Sequence, residues 1–460
     1  MINSRYLNIP FVVIGGLFML WPAIHNGYPL VYSDSHVFIS QPVAEFMNWD
    51  KPFVYGPLIL LFHGWSTLWG VVVAQALLLS HLVWLVSAAF AVDSNVVVSG
   101  PIARLKPGLR HLSVCAVLAL ASTAPWFTNF VMPDIFGAMA VLCIFLLGFS
   151  NRLSRVEMIW LIVLGALAIA VHLSHLVIAA ACLIVVLCLR LGRIQYALLP
   201  LAGAIVILLG TNFYAFQKLS ISPHGSVFML ARLSGDGNTK EVLETYCAQK
   251  KWYLCDWVDR LPADSDEFLW NGKGPVWSHP GGPIGLAPEA SEIVSYVIRT
   301  RPWPVLVSAV RNMSTQLWMI QLGDTLHADH LDVTVAKSVG QYFAGSELEQ
   351  LNNSRQMKGE LANDALWFSR VSMVSFYGGL VFSLYILLVL WRAQPVVRER
   401  QNAQVVAGFI LILWAGILAN AFATGALSKP HHRYQARISW LLVLPPLLLW
   451  RRPTLPTHAT

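Results

Sequence analysis

The sequence predicts an all-α polytopic membrane protein with about ten transmembrane helices. Three observations predict it. The chain of 460 residues is 56% hydrophobic and only 12% charged, with a mean hydropathy of +0.59, whereas soluble domains carry about a quarter charged residues. Apolar runs of about 16–25 residues, the length a helix needs to cross a bilayer, recur along the chain. Basic residues fall in every second connection between those runs, as they do when positive charge sets topology.

The runs place helices near 9–24, 66–91, 112–127, 135–150, 157–171, 176–190, 196–214, 367–391, 403–424 and 436–450. The first lacks a small-residue cleavage site and reads as a retained helix. Arg5, Arg104/Lys106/Arg110, Arg152/Arg155, Arg190/Arg193, Arg392/Arg398/Arg400 and Arg451/Arg452 then share one side if both ends are cytoplasmic. The net charge of +7 is thus accounted for by short loops, and no nucleic-acid partner is expected. The run at 303–322, "WPVLVSAVRNMSTQLWMIQL", would break this alternation as a span. It reads as an interfacial or re-entrant helix.

Three units follow. Residues 1–215 form an N-terminal transmembrane module whose first outer connection, 26–65, holds two short juxtamembrane helices. Residues 216–366, inserted between helices 7 and 8, are too long for a loop and read as an outer domain. Residues 367–460 form the C-terminal transmembrane module. Cys115, Cys143, Cys182 and Cys188 lie in apolar spans and read as small buried hydrophobes. Cys247 and Cys255 lie in the polar segment with seven residues between them. On an oxidising side they would form a disulfide.

The outer connections carry ionisable groups: Asp34 and His36 in "YSDSHVF", Asp134 in "FTNFVMPDIFG", His172 and His175 in "HLSH", and Lys429, His431, His432, Arg433 and Arg437 in "SKPHHRYQAR". Ionisable groups near membrane depth are a functional signal. Each has a plainer reading: helix capping for the two aspartates, interfacial packing for the two histidines of "HLSH", headgroup contact for the basic cluster. Two lone carboxylates and a basic cluster on three separate connections nevertheless point to one pocket. A carboxylate can accept the proton of an attacking hydroxyl, and Arg and His can neutralise a leaving phosphate. Asp134 is also a candidate to position the acceptor or to hold a divalent cation, Mg or Mn. Asp34 and Asp134 are the candidate catalytic residues. His36, His172, His175, Lys429, His431, His432 and Arg433 are the candidate substrate ligands.

These motifs resemble the C-type fold glycosyltransferases of membranes. Asp34 in "YSDSHVF" matches the aspartate of that family's first outer connection, Asp134 in "MPDIFGA" the second acidic residue, and Arg433 in "HHRYQARISW" the late basic residue that contacts lipid phosphate. The resemblance covers mainly residues 1–215 and the last helix pair. It implies an inverting transferase moving a sugar from a polyprenyl-phosphate donor to a lipid or glycan acceptor, in a bacterial inner membrane with the site facing the periplasm. The inserted segment, with "FMLARLSGDG" and "DEFLW", looks like that of uncharacterised bacterial membrane proteins and names no substrate. The chain reads as lacking both an Asp-x-Asp and a "WWDYG"-type signature, which argues against an oligosaccharyltransferase. A transporter or flippase is the first rival, disfavoured because the charges cluster at one face and no internal repeat is visible. An O-antigen polymerase or ligase is the second, and would not need an aspartate after helix 1.

Overall fold

The computed structural model describes residues 8–43, 47–90, 101–393 and 397–450, and gives the backbone alone for 101–104, 191, 393 and 397–401. Arg5, Arg451 and Arg452, and the side chains of Arg104, Arg398 and Arg400, lie outside the described residues. The fold is helical throughout. The single strand-like pairing among the described residues is a parallel bridge between Leu30 and Phe130.

Among the described residues, four helices are long and apolar enough to cross a membrane: Trp69–Ala89, Ile194–Phe216, Leu361–Arg392 and Asn402–Ala426. Ile9–Phe18, Asp134–Phe149 and Ser174–Leu189 are apolar but shorter. The expected helix at 9–24 is broken into Ile9–Phe18 and Trp21–Asn26, where Pro22 removes a backbone donor. The expected helix at 436–450 is broken more thoroughly, into His432–Ser439, a 3₁₀ turn Trp440–Val443 and Leu444–Leu449 with Pro445 in its first turn. Pro residues are tolerated at helix starts because the first donors have no intrahelical partner.

Local chemistry explains several boundaries. Arg155–Ala170 begins with a capping box, in which the Glu157 N–H donates to Ser154 Oγ and the Ser154 N–H donates to Glu157 Oε2 at 2.7 Å. Asp134–Phe149 is buried along its whole length. A helix apolar on every side belongs at the centre of a bundle, and this one carries Asp134 on its first turn. Gly379 allows the Leu361–Ala393 helix to touch the broken last helix: a Cβ there would lie 1.9 Å from the Leu442 carbonyl oxygen. Small residues at helix contacts permit such approach.

The first outer connection contains the two short helices expected there, Ser35–Ser40 and Tyr55–His63. The inserted segment packs in two ways. Residues from Val227 to Val297 form their own apolar core, with Trp49 of the first connection packed against it, and Cys247 and Cys255 are disulfide-bonded beside that core. Closing so short a loop stabilises by about 2–3 kcal/mol on the chain-entropy account. Residues from Ile320 to Leu361 instead join the core of the membrane modules. Buried Glu347 secures them, accepting from Tyr28 Oη at 2.9 Å and from the Leu68 N–H at 2.8 Å. Between these parts, Pro302–Trp318 runs along a π-helical turn, Phe422–Ala426. Gly425 makes this possible, since a Cβ there would meet the Asn312 carbonyl at 2.7 Å.

Candidate functional site

Backbone pairing brings the two aspartate-bearing connections together. The Leu30 N–H donates to the Asn129 carbonyl and the Val131 N–H to the Leu30 carbonyl, each at 2.9 Å. Gln356 clamps the next residue from both sides, accepting from the Val31 N–H at 3.2 Å and donating to its carbonyl at 2.6 Å. Ser35 Oγ accepts from the Tyr32 N–H at 3.0 Å and closes the turn that presents Asp34. Buried donors and acceptors paired this densely make a rigid support.

The arginine-bearing helix is fixed as firmly. Gln316 exchanges two hydrogen bonds with the His431 backbone, and Asp324 Oδ2 accepts from the Arg433 N–H at 3.1 Å. Asn420 donates to the Tyr434 carbonyl at 2.7 Å, while its Oδ1 accepts from Arg437 Nη2 at 2.9 Å.

A cavity of about 370 Å³ lies between these supports. Asp34, Lys51, Asp134, His172 and Arg433 line it, with Trp49, Asp50, His224, Phe228, Trp270 and Tyr434 among the other walls. Asp34 occupies the position before the Ser35–Ser40 helix but makes no side-chain capping bond. Its carboxylate instead lies 3.3 Å from Lys51 Nζ, with a third of the side chain exposed. Burial pushes this carboxyl up, but Lys51, then Arg433 and His36, outweigh it and hold the group below the ordinary aspartate value. Lys51 also contacts Asp50 at 2.6 Å. Burial, then the charges of Arg437, His175, Arg433 and Lys51, push His172 well below the ordinary histidine value, so the ring is neutral. Its Nδ1 is bonded to Ser174 Oγ at 2.8 Å.

Asp134 does not cap its helix either. Its Oδ1 lies 3.5 Å from both Arg433 Nε and Arg437 Nη1, and all three side chains are buried. Arg433 stacks over Tyr32 and Tyr434, at 4.6 and 5.0 Å from the ring centroids. Its Nη1 has no hydrogen-bond partner among the described residues. A guanidinium with an unused donor can pair with an oxyanion.

The remaining candidates stand elsewhere. His36 turns its Nδ1 onto the Ser33 carbonyl and does not line the cavity. His175 is fully buried, bonding the Ala168 carbonyl at 2.7 Å. Lys429, His431 and His432 hold the inserted segment: Lys429 Nζ donates to Asp264 and Asp266, His431 Nε2 lies 3.4 Å from Asp266, and His432 Nδ1 accepts from the Gln321 N–H. The expectation that the chain lacks an Asp-x-Asp is corrected by Asp264-Ser265-Asp266, which removes that part of the argument against an oligosaccharyltransferase; its carboxylates are taken up by these cations. Among the described residues no group of three His, Cys, Asp or Glu converges as a metal site. A divalent cation fits the arrangement poorly, because Asp34, Asp134 and Asp264 each already face a fixed positive charge.

His224 and Lys51 are cavity residues that sequence reasoning missed as ligands. Lys51 is an isolated base in its connection, and His224 belongs to no motif. Comparisons of the chain with protein-family models, with curated proteins and with solved structures find no match.

Proposed function

We propose that the chain is an inverting membrane glycosyltransferase that takes a sugar from a polyprenyl-phosphate donor and passes it to a lipid or glycan acceptor. The observation that carries this reading is the buried, partly unpartnered Arg433 guanidinium in one cavity with the ionised Asp34. In the transfer, the acceptor hydroxyl gives its proton to Asp34 as its oxygen bonds to the anomeric carbon. The bond from that carbon to the phosphate oxygen breaks on the opposite side, inverting the centre. Arg433 receives the charge that develops on the phosphate, and Asp134 holds Arg433 in place. Neutral His172 is suited to hydrogen-bond the sugar. No step needs a metal.

Binding of undecaprenyl phosphate to the protein in nanodiscs tests the reading. Arg433→Ala is expected to weaken it about ten- to a hundredfold, the loss of a charged hydrogen-bond pair. Arg433→Lys recovers it only in part, since the planar fork is gone. Wild-type affinity in both variants rules out the phosphate role.

The reading also places about ten spans in the membrane, with both termini cytoplasmic and the cavity on the opposite, periplasmic side. Exposed Lys273 and Lys106 offer the check. Cys188, expected to be a buried hydrophobe, is instead exposed and unpaired; with it first replaced by serine, a membrane-impermeant thiol reagent added outside should label Lys273→Cys and miss Lys106→Cys. The reverse pattern overturns the orientation.

A further inference from the structure

One wall of the cavity comes from the inserted segment and is chemically unlike the rest. His224, at the start of the Gly225–Gly235 helix, is 1% exposed, lines the cavity, and has neither ring nitrogen hydrogen-bonded among the described residues. Its ring edge packs on Phe216 at 4.8 Å, which fixes its orientation. A buried imidazole with both nitrogens unsatisfied is costly unless a cavity occupant supplies the partners. One turn further along, Phe228 stacks on Trp49 with centroids 5.2 Å apart, and Trp270 lies 6.0 Å from both. Trp270 keeps 46% of its surface exposed.

The ligand chemistry follows from that wall. The stacked Trp49–Phe228 pair and the half-exposed Trp270 ring, beside one histidine that burial and then the charge of Lys218 keep below its ordinary pKa and therefore neutral, suit a partner with an apolar face and hydroxyl edges. A neutral imidazole accepts at one nitrogen and donates at the other, as a hydroxyl does in return. Of the cations lining the cavity, Lys51 is occupied by Asp34 and Asp50 and Arg433 is the proposed donor ligand, while Lys218, whose charge reaches His224, is not part of the lining; the wall itself therefore favours a neutral partner. Lys51 Nζ also sits 5.8 Å from the Trp270 ring, which joins this wall directly to Asp34.

We propose that His224, Trp49, Phe228 and Trp270 form a carbohydrate subsite that holds the acceptor, whose reacting end is therefore a neutral pyranose and not a plain lipid alcohol. This assignment rests on the transferase reading, because it is the acceptor hydroxyl that must meet Asp34. The sugar ring packs on the indole of Trp270, a hydroxyl pairs with His224, and another is delivered to the carboxylate.

The test is saturation-transfer NMR on the protein in nanodiscs free of glycolipid and sugar-based detergent. The probes are the methyl pyranosides of glucose, galactose, mannose and N-acetylglucosamine, with sorbitol as an acyclic control. At least one glycoside should show saturable ring-proton signals that sorbitol does not displace. Trp270→Ala and His224→Phe should each weaken that binding about tenfold, while undecaprenyl phosphate binds both variants as it binds the wild type. Trp270→Phe, which keeps a ring, should retain most of the affinity. If His224→Phe does not fold, Trp270→Ala at its half-exposed position decides alone. No saturable glycoside, or wild-type glycoside binding in the variants, overturns the subsite. Loss of the transferase reading shows up separately, as undecaprenyl phosphate failing to bind the wild-type protein.

Discussion

Asp34→Asn is expected to give a folded, donor-binding protein whose transfer rate is lower by about 10²–10⁴-fold, the usual worth of a general base. The substitution keeps the shape and removes the charge and, with it, the basicity. Helix capping is not at stake, because Asp34 makes no capping bond. The ion pair with Lys51 is lost, but Lys51 retains Asp50 at 2.6 Å, so the cation is not left without a carboxylate. An aspartate held below its ordinary pKa is a weak base, which suits a transfer in which the bond to the leaving phosphate breaks early. The anomeric carbon then carries oxocarbenium character, and the acceptor proton departs late. Turnover with an undecaprenyl-phosphate sugar, measured beside undecaprenyl phosphate binding, makes the check. Near-normal turnover in Asp34→Asn means that the Lys51 contact is the purpose of this residue.

Much of the bundle was legible because apolar length and loop charge are local properties. The runs at 66–91, 196–214, 367–391 and 403–424 correspond to the four helices able to span a membrane, and the two short helices of the first connection lie where polar clusters alternate with apolar ones. The breaks were not legible to the same degree. Hydropathy averages over Pro22 and Pro445, whereas the backbone cannot. The site divides along the same line. That Asp34, Asp134, His172 and Arg433 share a cavity follows from a topology placing their connections on one face. Which way each side chain turns depends on contacts distant in sequence. Lys429 and His431 lie four and two positions before Arg433 in the chain, yet they turn to Asp264 and Asp266, more than a hundred residues away. The Leu30–Phe130 bridge that brings the aspartates together has no sequence signature, since both partners are ordinary apolar residues in irregular segments. His224 was invisible for a related reason. A lone histidine at a helix start reads as solvated until the fold buries it.

Asp134→Asn is expected to cost about 3–5 kcal/mol of stability, the range for removing one partner of a buried ion cluster. Two arginines converge on this carboxylate, with side chains only 7% and 1% exposed. Asparagine can accept one hydrogen bond but brings no charge, and two guanidinium groups would then repel each other in a low dielectric. Arg437 would keep Asn420 and Ser174 as neutral acceptors, whereas Arg433 Nη1 already has no hydrogen-bond partner among the described residues. The damage should therefore concentrate on Arg433, the proposed phosphate ligand. Adding Arg437→Gln to Asp134→Asn removes the repulsion and should recover part of the loss, so the double variant is more stable than the sum of the single changes predicts. Urea midpoints for the four proteins in one detergent measure the coupling. If Asp134→Asn instead keeps wild-type stability and loses transfer alone, the carboxylate acts on the substrate directly, and Arg433 and Arg437 are held in place by their other contacts.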